Sequence, residues 1–167
     1  MKVRSCNVLI GIVVVVLGFG CARKPVTDRD RLEAAHLVSE AQFALSIREW
    51  ARAEGLLARA VELAPQGDYW VSLGATRVRL DDRAGAKAAY LAALGAYADE
   101  ARRSAATSEP LMKQAYVLAL LGRQDESRTL IVKAAKRFPL DQKVLDLTDP
   151  AAFAKMISSP KFKDMAL

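Results

Sequence analysis

Residues 70–93 read WVSLGATRVRLDDRAGAKAAYLAA, and two helical patterns meet in them. Trp70 and Leu73 stand three apart, and Tyr90 stands four after Ala86, so each half presents an apolar face at the helical period. Between the halves Asp81 and Asp82 break the pattern, and carboxylates in that place cap a helix start. Ala86 and Ala93 lie seven residues apart, two turns along one face. Small residues there allow two helix backbones to approach until ridges enter grooves. The stretch predicts a helix, a tight turn and a second helix running back along the first.

The same spacings recur on either side. Leu37 precedes Ala53 by sixteen residues, as Trp70 precedes Ala86 and Leu111 precedes Ser127. Ala60, Ala93 and Ala134 each follow seven later, and Pro65 and Pro139 stand twelve after Ala53 and Ser127. Trp50, Leu57, Trp70, Leu73, Tyr90 and Leu130 supply bulk between the helices. No such pair buries its apolar face alone, so the pairs must stack and end in a cap.

These residues resemble the tetratricopeptide repeat (TPR) family. Trp70, Leu73 and Gly74 form its W-x2-L-G opening, with Ala86, Tyr90 and Ala93 at the family's spacing. AVELAP at 60–65 is similar to its second-helix ending, and REWARA at 48–53 to its turn region. LLGRQDESRTLIVKAAKRFP at 120–139 sets Gly122 in the turn and Pro139 at the close. Arg77, Ser127 and Ala98 depart from the family's aromatic, Ala and Pro. The resemblance implies an all-α fold, a right-handed α-α superhelix of about three helix pairs (34–66, 67–100 and 108–139) within a domain at 28–139. Capping helices are expected at 140–167.

Ala53 to Ala86 is 33 residues but Ala86 to Ser127 is 41, so extra residues fall between Ala93 and Leu111. Their Ala, Glu and Arg content predicts an extension of the second helix through about Ser104. It is read as a tolerated insertion or as the edge of a binding groove. Ser108 is then expected to cap the next helix, with Pro110 in its first turn. Further on, Asp141 reads as a cap with Leu140 stapled against Leu145. Asp149-Pro150 and Ser159-Pro160 both read as an N-cap followed by proline. Phe153, Met156 and Phe162 are expected to cover the end of the stack.

At the N-terminus Lys2 and Arg4 precede an uncharged apolar run at 8–21. Fourteen helical residues reach about 21 Å, short of the roughly 30 Å hydrocarbon core, which suits a signal peptide better than a span. LGFGC at 17–21 resembles a bacterial lipoprotein processing site, although Leu17 stands four residues before Cys21 where the family has Leu three before. The resemblance implies a signal peptide at 1–20, acylation of Cys21 (palmitate) and a lipidated linker at 21–27. Ala22 in place of Asp points to the periplasmic face of an outer membrane in a Gram-negative cell. An uncleaved anchor and an ordinary signal peptide with an incidental Cys21 are the alternatives. Arg23, Lys24, Arg29 and Arg31 after the run argue against the anchor; they would lie near anionic head groups.

The chain has 167 residues, of which 52% are hydrophobic, and a net charge of +6. Beyond the leader that is one ordinary domain with a continuous core. The charges are interleaved and not clustered, which argues against nucleic acid as a partner. His36 is the one histidine, and no Gly-rich phosphate loop, HExxH or GxSxG occurs; no enzyme activity, cofactor or metal is expected. TPR stacks bind extended peptides or helices in the groove lined by the first helix of each pair. By position that implies Val38, Gln42, Leu45, Asp68, Val71, Ala75, Arg79, Met112, Tyr116 and Ala119. Gln42, Leu45, Val71, Arg79, Met112 and Tyr116 are the foremost of these. The set lacks the basic and asparagine cluster that clamps a C-terminal carboxylate. The expected function is a membrane-anchored scaffold or adaptor that binds a protein partner and assembles an envelope complex. A non-catalytic subunit tethering a cell-wall enzyme is the alternative, and self-association through an open edge is a further option.

Overall fold

Thr27 caps the first described helix with a reciprocal pair of hydrogen bonds. Its hydroxyl accepts the Asp30 N–H while the Asp30 carboxylate accepts the Thr27 N–H, so two groups without helical partners are satisfied at once. In this computed structural model, which describes residues 25–104 and 106–167, the helix so started is α1 (Asp28–Ser46). It is followed by α2 (Trp50–Leu63), α3 (Gly67–Arg79), α4 (Arg83–Arg103), α5 (Glu109–Leu120) and α6 (Gln124–Arg137). Three short helices close the chain: α7 (Gln142–Asp146), α8 (Pro150–Ser158) and α9 (Pro160–Lys163). No strand occurs among the described residues. Helices pack on their sequence neighbours: α1 on α2, α3 on α4 and α5 on α6, with α2 on α3 and α4 on α5 joining the pairs. Short links make each pair antiparallel. The fold is all-α, as the spacing predicts. Cys21, the expected signal peptide at 1–20 and most of the expected linker at 21–27 lie outside the described residues.

The three turns within pairs share one geometry. Arg48, Asp81 and Gly122 adopt φ of 63°, 59° and 75°. The N–H of each donates to the carbonyl three residues back, on Leu45, Val78 and Ala119. The next N–H reaches five back, from Glu49 to Ala44, Asp82 to Arg77 and Arg123 to Leu118, at 2.9 Å each time. These paired bonds satisfy the carbonyls that a helix end leaves open. Only Gly122 takes this conformation without a Cβ penalty.

Ala53, Ala60, Ala86, Ala93 and Ala134 are all fully buried. Ser127 is buried with them, and its hydroxyl donates to the Ala115 carbonyl at 2.7 Å, which removes the cost of burying a polar group. Gly74 faces the buried Tyr90 ring, where an added Cβ would lie 2.5 Å from Cε1. Arg77 donates from Nε and Nη2 to Glu54 Oε1 at 2.9 and 2.7 Å. This pair ties α3 to α2.

Helix α4 runs through Arg103 with Ser104 as its C-cap. Two local expectations fail. Ser108 stands at the N-cap of α5 with Pro110 in the first turn, as expected, but makes no side-chain capping bond; its hydroxyl donates to the Asp141 carboxylate, and this bond holds that carboxyl below its usual range. Leu140 does not staple against Leu145 but is 97% exposed. With Asp141 bonded to Ser108 and accepting the Lys143 N–H, the chain enters α7 with Leu140 turned to solvent. Asp149 and Ser159 cap α8 and α9. Phe153 and Phe162 are buried in the cluster around α5, with Met156 packed beside them.

Candidate functional site

Val71 on α3 and Met112 on α5 line one channel between the two helices. With Tyr116 and Val117 they wall an open cavity of about 350 Å³. Asp68, Tyr97, Glu109 and Lys113 stand at its polar rim. Lys113 Nζ lies 3.0 Å from Asp68 Oδ2 and 3.0 Å from Glu109 Oε1. The Tyr97 hydroxyl donates to Asp68 Oδ1 at 2.5 Å, and the Lys113 ammonium lies 5.6 Å from the Tyr97 ring centroid. Burial works against the Lys113 charge, but the bonds to Asp68 and Glu109 outweigh it and raise its pKa. Burial first, then the bond to Asp68, pushes the Tyr97 phenol far above its ordinary value. The rim is therefore a fixed arrangement of one ammonium, two carboxylates and one neutral phenol.

Tyr97 owes its place to the helix extension and to a glycine. It lies beyond Ala93, and any Cβ on Gly67 would run into its ring, so only glycine lets the ring cross the start of α3. The Tyr97 carbonyl accepts from Gln114 Nε2 at 3.3 Å, which fixes α4 against α5. The extension also borders a larger depression of about 800 Å³ that includes Asp68, Asp99, Arg102 and Arg103.

The other end of the channel is filled by the chain's own C-terminus. The Phe162 ring meets Tyr116 edge to face, with centroids 5.6 Å apart. The Tyr90 hydroxyl donates to the Met165 carbonyl at 2.6 Å, and the Leu167 N–H donates to the Leu120 carbonyl at 3.0 Å. Met165, Ala166 and Leu167 pack on the cluster that also takes in Val71, Val78, Met112 and Tyr116. Asp164 shares a depression of about 420 Å³ with Arg48, Trp50, Val78 and Arg79. The Arg79 guanidinium lies 4.8 Å from the Trp50 ring centroid, a cation–π distance.

Of the residues implied by repeat position, Asp68, Val71, Met112 and Tyr116 come together at the one cavity. Arg79 lies at the filled end. Gln42 is exposed on α1, while Leu45 and Val38 are half-buried against the α1/α2 core. Ala75 is half-buried on α3. Ala119 is only 2% exposed, within the cluster that the C-terminus joins, so it is core and not surface. Tyr97, Glu109 and Lys113 were not among the implied residues. The signal for the last two is their four-residue spacing on one helix; for Tyr97 it is the same interval from Ala93 that separates Tyr90 from Ala86. His36 is an exposed partner of Glu40 at 3.2 Å. Among the described residues no cluster of three or more His, Cys, Asp or Glu is placed to hold a metal. No helix among them is long and apolar enough to cross a membrane.

No protein-family model matches the chain, and no curated protein matches it.

Proposed function

We propose that the chain is a TPR-type adaptor that holds another polypeptide in the channel between α3 and α5, anchored to the cell envelope through an acylated Cys21. The observation that carries the reading is the cavity walled by Val71, Met112, Tyr116 and Val117 and rimmed by Asp68, Glu109 and Lys113. Its volume suits one or two apolar side chains, and apolar walls with few fixed polar groups are the usual form of a binding site. The rim offers an ammonium to a partner's carbonyls and carboxylates to its amides, which suits a helix or extended segment. The lipid anchor rests on residues 17–21 alone, and the TPR assignment on the spacings at 37–139 together with the shared turn geometry.

The experiment is crosslinking in intact membranes followed by affinity capture and mass spectrometry. The native chain is compared with Val71→Glu and with Cys21→Ser. One polypeptide is expected with the native chain and absent with Val71→Glu, while Cys21→Ser leaves the membrane fraction. Identical capture by native chain and Val71→Glu contradicts the groove reading. An unmodified, unprocessed N-terminus contradicts the anchor.

A further inference from the structure

The two halves of the α3/α5 channel are in different states, one open and one occupied, and Tyr116 belongs to both. Its ring lines the open cavity and also packs at right angles to the Phe162 ring. The occupying segment is short: α9 has four residues and is joined to α8 through Ser159, in extended conformation. Its two long-range hydrogen bonds are made by its own backbone, through the Met165 carbonyl and the Leu167 N–H. Any peptide of suitable shape can offer those atoms. Side-chain choice comes from elsewhere. Phe162 packs at right angles to the Tyr116 ring, Met165 and Leu167 meet the apolar cluster, and Asp164 lines the depression that holds Arg48 and Arg79.

We propose that residues 160–167 are a resident ligand of this half of the channel, in competition with a partner segment of the same chemistry. That chemistry is an aromatic residue, an acidic residue two positions later, and apolar residues three and five positions later. The proposal rests on the reading of the channel as a polypeptide-binding surface and names what that surface recognises. A partner seated in the open cavity reaches Tyr116, and a longer segment can advance only by taking the place of Phe162. The exchange has a physical reason to be one-for-one. Tyr90 is fully buried with the segment in place and its hydroxyl has the Met165 carbonyl as its acceptor, so unseating the segment gives up that bond and opens the ring to water. An incoming backbone carbonyl restores the bond.

The test uses a fluorescein-labelled peptide of residues 159–167, SPKFKDMAL, titrated by anisotropy into the full chain and into the full chain carrying Phe162→Asp and Leu167→Asp. The variant with its own segment unseated is expected to bind the peptide at least about tenfold more tightly than the parent. Adding Tyr116→Ala to it is expected to abolish binding. Equal affinity for parent and variant, or binding indifferent to Tyr116→Ala, overturns the proposal. So does loss of helical circular dichroism in the unseated variant, since the segment is then an inseparable part of the core. Hydrogen exchange on the parent chain is the second measurement. The Met165 and Ala166 amides, both donating to the Phe162 carbonyl, are expected to exchange through an opening that leaves α5 protected. Protection equal to that of α5 overturns the proposal. If these results fail while Val71-dependent capture persists, only the resident-ligand inference falls.

Discussion

Replacing Gly74 by alanine and Tyr90 by leucine, singly and together, tests how the helix pairs are packed. An alanine Cβ at position 74 would lie 2.5 Å from Tyr90 Cε1 and 2.7 Å from Cδ1, where ordinary contact is 3.4–4 Å. The ring has nowhere to retreat, since it is fully buried and tied by its hydroxyl to Met165. Overpacking of this kind costs about 1–3 kcal/mol, and alanine in a helix interior returns about 1 kcal/mol relative to glycine. A net loss of about 1 kcal/mol follows for Gly74→Ala. Tyr90→Leu removes part of a buried ring and leaves a void, a loss of about 2–3 kcal/mol. The double variant places a methyl in that void and reproduces combinations already present in the core: Ala41 with Leu57, and Ala115 with Ile131. It is expected to lose about 1–2 kcal/mol, less than the sum of the single losses by about 2 kcal/mol. Residues in contact show coupling of that order. Urea unfolding followed by far-ultraviolet circular dichroism measures all three losses. Strict additivity, or a double variant weaker than the sum, refutes the packing argument.

Arg77→Leu strands the Glu54 carboxylate, and both groups are less than a third exposed; a loss of about 1–2 kcal/mol is expected, most of it recovered in the double variant with Glu54→Leu. Gly122→Ala forces a Cβ onto a residue at φ 75° and is expected to cost about 1 kcal/mol, while Arg48→Gly relieves the same strain at φ 63° and lowers stability less, or raises it; urea midpoints rank the two. Burial, with the neighbouring Tyr116 for Tyr90 and the Asp68 bond for Tyr97, raises both phenols in the folded chain above the ordinary value of 10.0. Their contribution is therefore complete below pH 10 and is lost as pH rises beyond it. Stability measured from pH 8 to 11, about the range over which an ordinary phenol begins to ionise, is expected to fall at the alkaline end and to fall less steeply in Tyr90→Phe/Tyr97→Phe.

What the sequence discloses here is what is local. The spacing of Ala53, Ala86 and Ser127 fixes which helix faces meet, because backbone approach demands small side chains wherever two ridges cross. Asp149 and Ser159 cap as read, since a capping oxygen finds its N–H within three residues. The bond made by Ser108 and the packing of Leu140 were misread for the converse reason. The Ser108 hydroxyl has a choice between its own helix and Asp141, 33 residues away, and only the assembled fold decides it. The return of the C-terminus into the channel was equally hidden. KDMAL has no helical period, and the bond from Tyr90 to Met165 spans 75 residues. Half of the candidate site was legible, through Asp68, Val71, Met112 and Tyr116, because a recurring spacing sets which residues of a helix share one face. The rest of the rim was not: Tyr97 comes from the residues between Ala93 and Leu111, where the recurring spacing is interrupted, and Glu109 and Lys113 fall outside the spaced positions.

The channel's role is tested most directly by a photo-crosslinking amino acid placed at Met112, inside the cavity, and at Thr129, exposed on α6, each in the full chain in its native membrane. The account predicts one discrete polypeptide adduct from position 112, lost when Val71→Glu is added, and none from position 129. Adducts of equal yield from both positions, or an adduct at 112 that survives Val71→Glu, would contradict it.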